Sequence, residues 1–410
     1  MSAILFAAMS PALGCGDSTD VNPVTADTAL FDSAGDRKES GIDAADGAPE
    51  VATDSPGSDT AEASVDAGTA ADCLPTTGAT GLDAFFTLND ASKCVVAQYT
   101  VEATFLSSLT WGRHRGPLGF DGSDVSAPKL VRYKLPATAT GALVRETTAV
   151  TVTSIPAGVF FGSQALDLPF FGWTAISYSG SGAGFPGELL LIGDTTHAID
   201  ARYHVNGFFS ESATAMATSG GRLLYSGLSV IGSAPSATSA GGLYAADSCG
   251  TAASSPRLLP SGDATCKDPI QVGTWESGSS GPVATDPNEN VFAVLSSFGG
   301  NQELRGFERA AIARGAPATP GTKIFSTTGD TGELVADGKI VVWQPNESLS
   351  VAPYSKALDV QAIDYTVDAG AKTVTASGAA RAFLTLKTEG TSVALLLDDA
   401  HRIWVGVTNP

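Results

Sequence analysis

Gly281-Pro-Val-Ala-Thr-Asp-Pro-Asn-Glu-Asn-Val-Phe-Ala-Val-Leu295, followed by Phe298-Gly-Gly-Asn301 and Glu303-Leu-Arg-Gly-Phe-Glu308, is the stretch that decides the fold. A small-residue segment leads through an Asp/Pro/Asn turn into an apolar, β-branched run. A Gly- and Asn-rich turn then precedes a strand that mixes charge with aromatics. The run Val291–Leu295 is continuously apolar, as expected of a strand covered on both faces. Working outward, comparable segments occur at Gln98–Phe105, Lys129–Leu135, Ala149–Thr153, Glu188–Ile192, Arg222–Tyr225, Lys339–Trp343, Val393–Leu397 and Arg402–Val405. Helix signals are few, the best being Leu82–Ser92 and then Glu308–Arg314. The body reads as all-β.

The strong strands recur. With Leu190, Leu243, Phe292, Val341 and Leu396 as anchors, the interval is about 50 residues each time, the length of one four-stranded propeller blade. Residues from about 95 to 410 have room for a six- or seven-bladed β-propeller, closed by pairing the strand at Gln98 with the one at Arg402–Val407. The alternative is two β-sandwich domains. The pairs Gly220-Gly221, Gly241-Gly242 and Gly299-Gly300 give the repeats a resemblance to exported propellers of the NHL and kelch types, without the fixed aromatic positions of kelch.

Met1-Ser-Ala-Ile-Leu-Phe-Ala-Ala-Met-Ser-Pro-Ala-Leu-Gly-Cys15 is a short apolar run ending at a cysteine. It resembles the export signal of a bacterial lipoprotein, in which Cys15 would carry lipid and become the new N-terminus. It departs from that pattern in lacking a preceding Lys or Arg and in having Ala12 three residues before the cysteine. Residues 16–72 follow, rich in Asp, Ala, Ser, Thr and Gly and almost free of large apolar side chains. Such a segment cannot offset its ordering entropy and is expected to be a disordered tether. As a flexible coil it would span roughly 40 Å, and more under its own charge. The tract resembles the tethers of myxobacterial lipoproteins. The resulting division is 1–15 signal, 16–72 linker and 73–410 folded domain. The resemblance implies an extracytoplasmic, lipid-anchored protein, at the periplasmic or the cell-surface side of an outer membrane.

The net charge of −20 is concentrated in the linker, where fourteen carboxylates face only Arg37 and Lys38. The remainder has no basic stripe, which argues against nucleic acid as a partner. Of five cysteines, Cys15 is assigned to lipid. The other four form two local pairs, Cys73 with Cys94 and Cys249 with Cys266, expected as disulfides in an oxidising compartment and worth about 3 kcal/mol each. No C-x-x-C pair suggests a metal instead.

Four histidines leave little for acid–base chemistry. Trp111-Gly-Arg113-His114-Arg115 is the densest polar cluster of the body and a candidate binding loop, two guanidinium groups and an imidazole suiting an anionic ligand. His197 and His204 lie seven apart, on opposite faces if in one strand, and His401 sits beside Asp398-Asp399-Ala400 at a turn. Asp286-Pro-Asn288-Glu-Asn290 offers oxygen ligands for calcium or another divalent cation, as in propellers similar to sugar-acid lactonases, but these residues are also ordinary turn formers. No nucleophile elbow, zincin or P-loop motif occurs. The expected function is a tethered binding module, monomeric and without a required cofactor, for a protein or glycan partner. A metal-assisted lactonase- or esterase-like hydrolase and an envelope protein with a packing role are the alternatives.

Overall fold

The computed structural model describes residues 2–11, 74, 85–103, 109–112, 116–121, 129–145, 150–151, 159–168, 173–180, 187–193, 199–205, 215–219, 222–231, 238–246, 248–249, 257–258, 270–274, 279–296, 302–327, 330–347, 355–356, 358–387 and 393–408. Among these the chain is nearly all β-strand, arranged in antiparallel sheets, and the one helical element is a single 3-10 turn at Arg309–Ala311.

Among the described residues, six sheets have four or more strands. The deciding stretch forms one of them, Ser279–Thr285, Val291–Ser296, Gln302–Phe307 and Thr322–Thr327 paired in sequence order. Ala215–Ser219, Arg222–Ile231, Thr238–Ala246 and Ile270–Thr274 form the sheet before it. Asp330–Ala336, Ile340–Glu347, Asp359–Asp368 and Arg381–Leu386 form the backbone of the sheet after it. Earlier in the chain come a sheet begun by Leu109–Gly112, Gly116–Asp121 and Lys129–Lys134, and another of Val159–Leu168, Trp173–Gly180, Gly187–Gly193 and Ile199–Val205. The sixth joins distant parts of the chain in the order Val393–Leu397, Ile403–Thr408, Ser2–Pro11, Lys93–Ala103, with Thr140–Ala142 added in parallel.

The apolar run at Val291–Leu295 has a direct structural cause. Successive side chains of a strand point to opposite faces. Val291 and Ala293 pack with Ala217, Leu224, Leu243 and Val272 of the preceding sheet. Phe292 and Val294 pack with Leu334, Val341, Trp343 and Ile363 of the following one. The same holds one sheet on, where Val335, Ile340 and Val342 meet Val95, Leu395, Ile403 and Val405 of the sixth sheet. That sheet in turn sets Tyr99, Leu396 and Trp404 against Val131, Tyr133 and Leu143. Both faces of these sheets are therefore core.

The first strands of the sheets also touch. Leu109–Gly112 lies against Val159–Leu168, which lies against Ala215–Ser219, and that against Ser279–Thr285. Ser279–Thr285 lies against Asp330–Ala336, and Asp330–Ala336 against Val393–Leu397, which lies against Leu109–Gly112.

Several sequence expectations need correction. The strand at Gln98 does not pair directly with Arg402–Val407, because Ser2–Pro11 lies between them and takes the hydrogen bonds of both edges. Part of the helix candidate Leu82–Ser92 is a strand, Phe86–Leu88, captured by the open edge of Arg381–Leu386. Burial of Phe86 in that sheet's core outweighs a weak local preference. Glu308–Arg314 reduces to the 3-10 turn, where the Glu308 carboxylate accepts from the Ala310 N–H. The anchors of the expected repeat do not occupy equivalent strands. Leu190 and Leu243 lie in third strands, Phe292 and Val341 in second strands and Leu396 in a first. Composition could not separate strands that are all buried on both sides.

Candidate functional site

The chemically richest place among the described residues is a set of aspartates at the turns between strands. Asp286 heads a turn in which its Oδ1 accepts from the N–H groups of Asn288 and Asn290, at 2.8 and 2.9 Å. Its Oδ2 accepts from the Asn290 amide at 2.9 Å and from the Tyr365 hydroxyl at 2.7 Å. The backbone closes with Glu289 N–H to Asp286 O and Asp286 N–H to Asn290 O. Glu289 takes the left-handed conformation the turn requires, at φ 65°.

Asp398 builds the same turn in the sixth sheet. Oδ1 accepts from the N–H groups of Ala400 and Arg402, and the fourth residue, His401, is again left-handed at φ 60°. Oδ2 accepts from Arg402 Nε at 2.7 Å and from the Trp404 indole at 2.8 Å. Asp337 makes a shorter version, accepting from Lys339 and Ile340 N–H, with Gly338 at φ 96°. A carboxylate satisfies donors here as it does at a helix N-cap, and a glycine or a left-handed residue lets the chain reverse.

These turns are fastened to their neighbours. The Ser219 hydroxyl donates to Glu289 O at 2.8 Å, and Tyr365 reaches Asp286 from the next sheet. Lys93 Nζ pairs with Asp337 at 2.8 Å, both side chains about 6% exposed. Arg381 donates to Asp364 and to Asp90, which also accepts from Ser92. Burial, then the neighbouring Asp286, pushes the Tyr365 phenol far above its ordinary value, so it stays a donor.

Burial alone would raise Asp90, but the Ser92 hydrogen bonds and Arg381 outweigh it and hold the carboxyl below its ordinary value. A depressed folded value means the stabilisation is complete above the unfolded value, near pH 3.9, and is lost as pH falls through the folded one. Acid unfolding below about pH 4 should therefore be steeper in the wild type than in Asp90→Asn. Parallel pH–stability curves for the two would refute the role given to Asp90.

The sequence-chosen residues fall as follows. Trp111 lies in the strand Leu109–Gly112, in register with Pro117. Arg113, His114 and Arg115 lie outside the described residues. Asp286, Asn288 and Asn290 do share one turn, but as hydrogen-bond partners. Both oxygens of Asp286 are engaged twice, and Asn290 Oδ1 accepts from Arg309 N–H, so a cation at Asp286 would have to displace donors already in place. His401 is an exposed turn residue, His204 lies in the strand Ile199–Val205, and His197 lies outside the described residues. Among the described residues no three His, Cys, Asp or Glu side chains form a group able to hold a metal.

Cys94 is disulfide-bonded, and Cys15, Cys73 and Cys266 lie outside the described residues. Cys249 lies in Ser248–Cys249, paired with Arg257–Leu258. Among the described residues no helix is long and apolar enough to cross a membrane.

Sequence reading missed the shared turn. Asp286-Pro-Asn-Glu-Asn290-Val-Phe and Asp398-Asp-Ala-His-Arg402-Ile-Trp match at Asp, at a polar donor four residues on, and at the β-branched and aromatic pair that follows. Aligning these two segments would have exposed it.

No family model and no curated protein matches the chain. Among solved structures it is similar to a protein of unknown function from Dyadobacter fermentans, at TM-score 0.42 and 11% identity over 74% of this chain and 93% of that one. It is also similar to the hydrazine synthase of Kuenenia stuttgartiensis, at TM-score 0.41 and 11% identity over 74% and 73%. A third is MPT-4, a mannose phosphorylase from Leishmania mexicana in complex with phosphate, at TM-score 0.32 and 10% identity over 62% and 84%. Likenesses this distant say nothing about activity.

Proposed function

We propose that the six sheets are the blades of a β-propeller, and that this disc is a lipid-tethered extracytoplasmic binding module of the cell envelope. The observation that carries the propeller is the order of contacts between first strands, which runs from sheet to sheet and returns to its start. The burial of sheets on both faces supports the same reading, since a two-sandwich chain would leave one face of each sheet to solvent. Val393–Leu397 and Ile403–Thr408 share one sheet with Lys93–Ala103, with Ser2–Pro11 lying between them.

The address rests on the leader-like residues 1–15, with Cys15 as lipid acceptor, and on the acidic tract 16–72. Leu74 N–H bonds to Val95 O at 2.6 Å, which supports pairing Cys73 with Cys94. Cys249 and Cys266 would close the excursion between Thr238–Ala246 and Ile270–Thr274. Binding rather than turnover is favoured because the aspartates of the turns are consumed in structural bonds.

The binding loop is Trp111–Arg115, an aromatic beside two arginines being common anchor chemistry at interfaces. The partner is a protein or a glycan, bound by a monomer without a required cofactor. Replacing Arg113 and Arg115 with Ala should weaken capture of envelope components at least about tenfold and leave the unfolding midpoint unchanged. The decisive counter-test is a panel of lactones and esters with and without divalent metal. Metal-dependent turnover that disappears in Asp286→Ala would replace the module by a hydrolase.

A further inference from the structure

The sixth sheet has an unusual middle. Ser2–Pro11 pairs antiparallel with Lys93–Ala103 on one side and with Ile403–Thr408 on the other. On the reading of residues 1–14 as a leader cut off before Cys15, this strand leaves with it. Neighbouring strands lie about 4.8 Å apart, so its departure opens a slot roughly 10 Å wide between two facing, unpaired edges. The walls are apolar and deeply buried in the intact sheet, with Val95, Ala97 and Tyr99 on one side and Ile403, Trp404, Val405 and Val407 on the other. Left open, they would expose a template for strand pairing together with its core.

We propose that the mature protein is a strand acceptor, and that this slot takes one extended, uncharged, apolar segment of about ten residues from a partner protein. The occupant seated there now defines the chemistry, Ser2-Ala-Ile-Leu-Phe-Ala-Ala-Met-Ser-Pro11, antiparallel to both walls. Backbone hydrogen bonds to both edges supply affinity and alternate side chains supply selectivity, as in other strand-addition complexes. One position is discriminating. Ala8 is in register with Ala97 and with Trp404, and the rings of Tyr99 and Trp404 stack at 5.7 Å across the strand that separates them. The segment must be small there.

The donor has to come from elsewhere. The tether 16–72 is too acidic and too poor in large apolar side chains to fill the slot. A second processed copy has lost the same strand.

The test uses the full chain with a specific protease site inserted between Pro11 and Cys15. After cutting, the body is offered a labelled peptide of the Ser2–Pro11 sequence and the same peptide carrying Ala8→Trp. The acceptor predicts exchange to one peptide per body, with the Trp peptide at least about tenfold weaker because overpacking is not tolerated there. No uptake, or equal uptake of both peptides, overturns it whatever the processing. Intact mass of the membrane-derived protein separates the two premises. Residues 1–14 still attached would remove the leader reading and the need for a partner, even if exchange succeeds.

Discussion

Trp404→Ala is expected to cost about 3–5 kcal/mol of unfolding free energy, the range for deleting a fully buried large aromatic. The indole is 0% exposed and packs with Ala97, Leu396, Val131 and Tyr133, where the sixth sheet meets the sheet begun by Leu109–Gly112. It stacks on Tyr99 and lies under the Arg402 guanidinium, at 5.9 Å from the ring centre. Its N–H is one of two side-chain donors to Asp398 Oδ2, the other being Arg402 Nε. Trp404→Phe keeps most of the packing and removes that donor, so it should cost about 1–3 kcal/mol. Urea unfolding followed by tyrosine fluorescence and circular dichroism measures both. A loss below about 1 kcal/mol for the alanine variant would mean that this interface is not part of the cooperative unit.

Asp286→Ala should cost about 3 kcal/mol or more. The carboxylate is 4% exposed and satisfies four donors, two of them backbone N–H groups of its own turn. Removing it strands buried donors, and each unsatisfied group costs about 1–3 kcal/mol, partly recovered by water and relaxation. Tyr365, whose hydroxyl belongs to the following sheet and whose ring packs on Phe292 at 4.7 Å, would lose its acceptor, so the damage crosses the interface. The same residue separates structure from metal chemistry. Millimolar calcium should leave the wild-type unfolding midpoint unchanged, because a ligand bound only to the native state would raise it. A calcium-dependent rise that vanishes in Asp286→Ala would restore Asp286, Asn288 and Asn290 as cation ligands.

The all-β class was legible because its signals are local: short β-branched runs, turn residues between them, and few helical periods. Continuous apolarity at Val291–Leu295 even announced burial on both faces. What lay on those faces was not legible, because Val291 and Phe292 differ in neighbour, not in kind. The Asp286 turn shows the same limit at the site. Asp and Asn at that spacing suit a cation and a hydrogen-bonded reversal equally well. Only the position of Tyr365, seventy-nine residues on, shows where the fourth pair of electrons goes.

The ends of the chain draw the line most clearly. Residues 1–15 could be read alone as an apolar run before a cysteine, since hydrophobicity and length are properties of the segment itself. That the same run has a ten-residue place between Lys93–Ala103 and Ile403–Thr408 was invisible, because register across a sheet is set by partners far away in the chain. Composition and local spacing by themselves determined the all-β class and the acidic, core-poor character of residues 16–72. Which aspartates are spent on which donors, and which strands share a sheet, were decided only by tertiary structure, where non-local backbone pairing and two-sided burial act together.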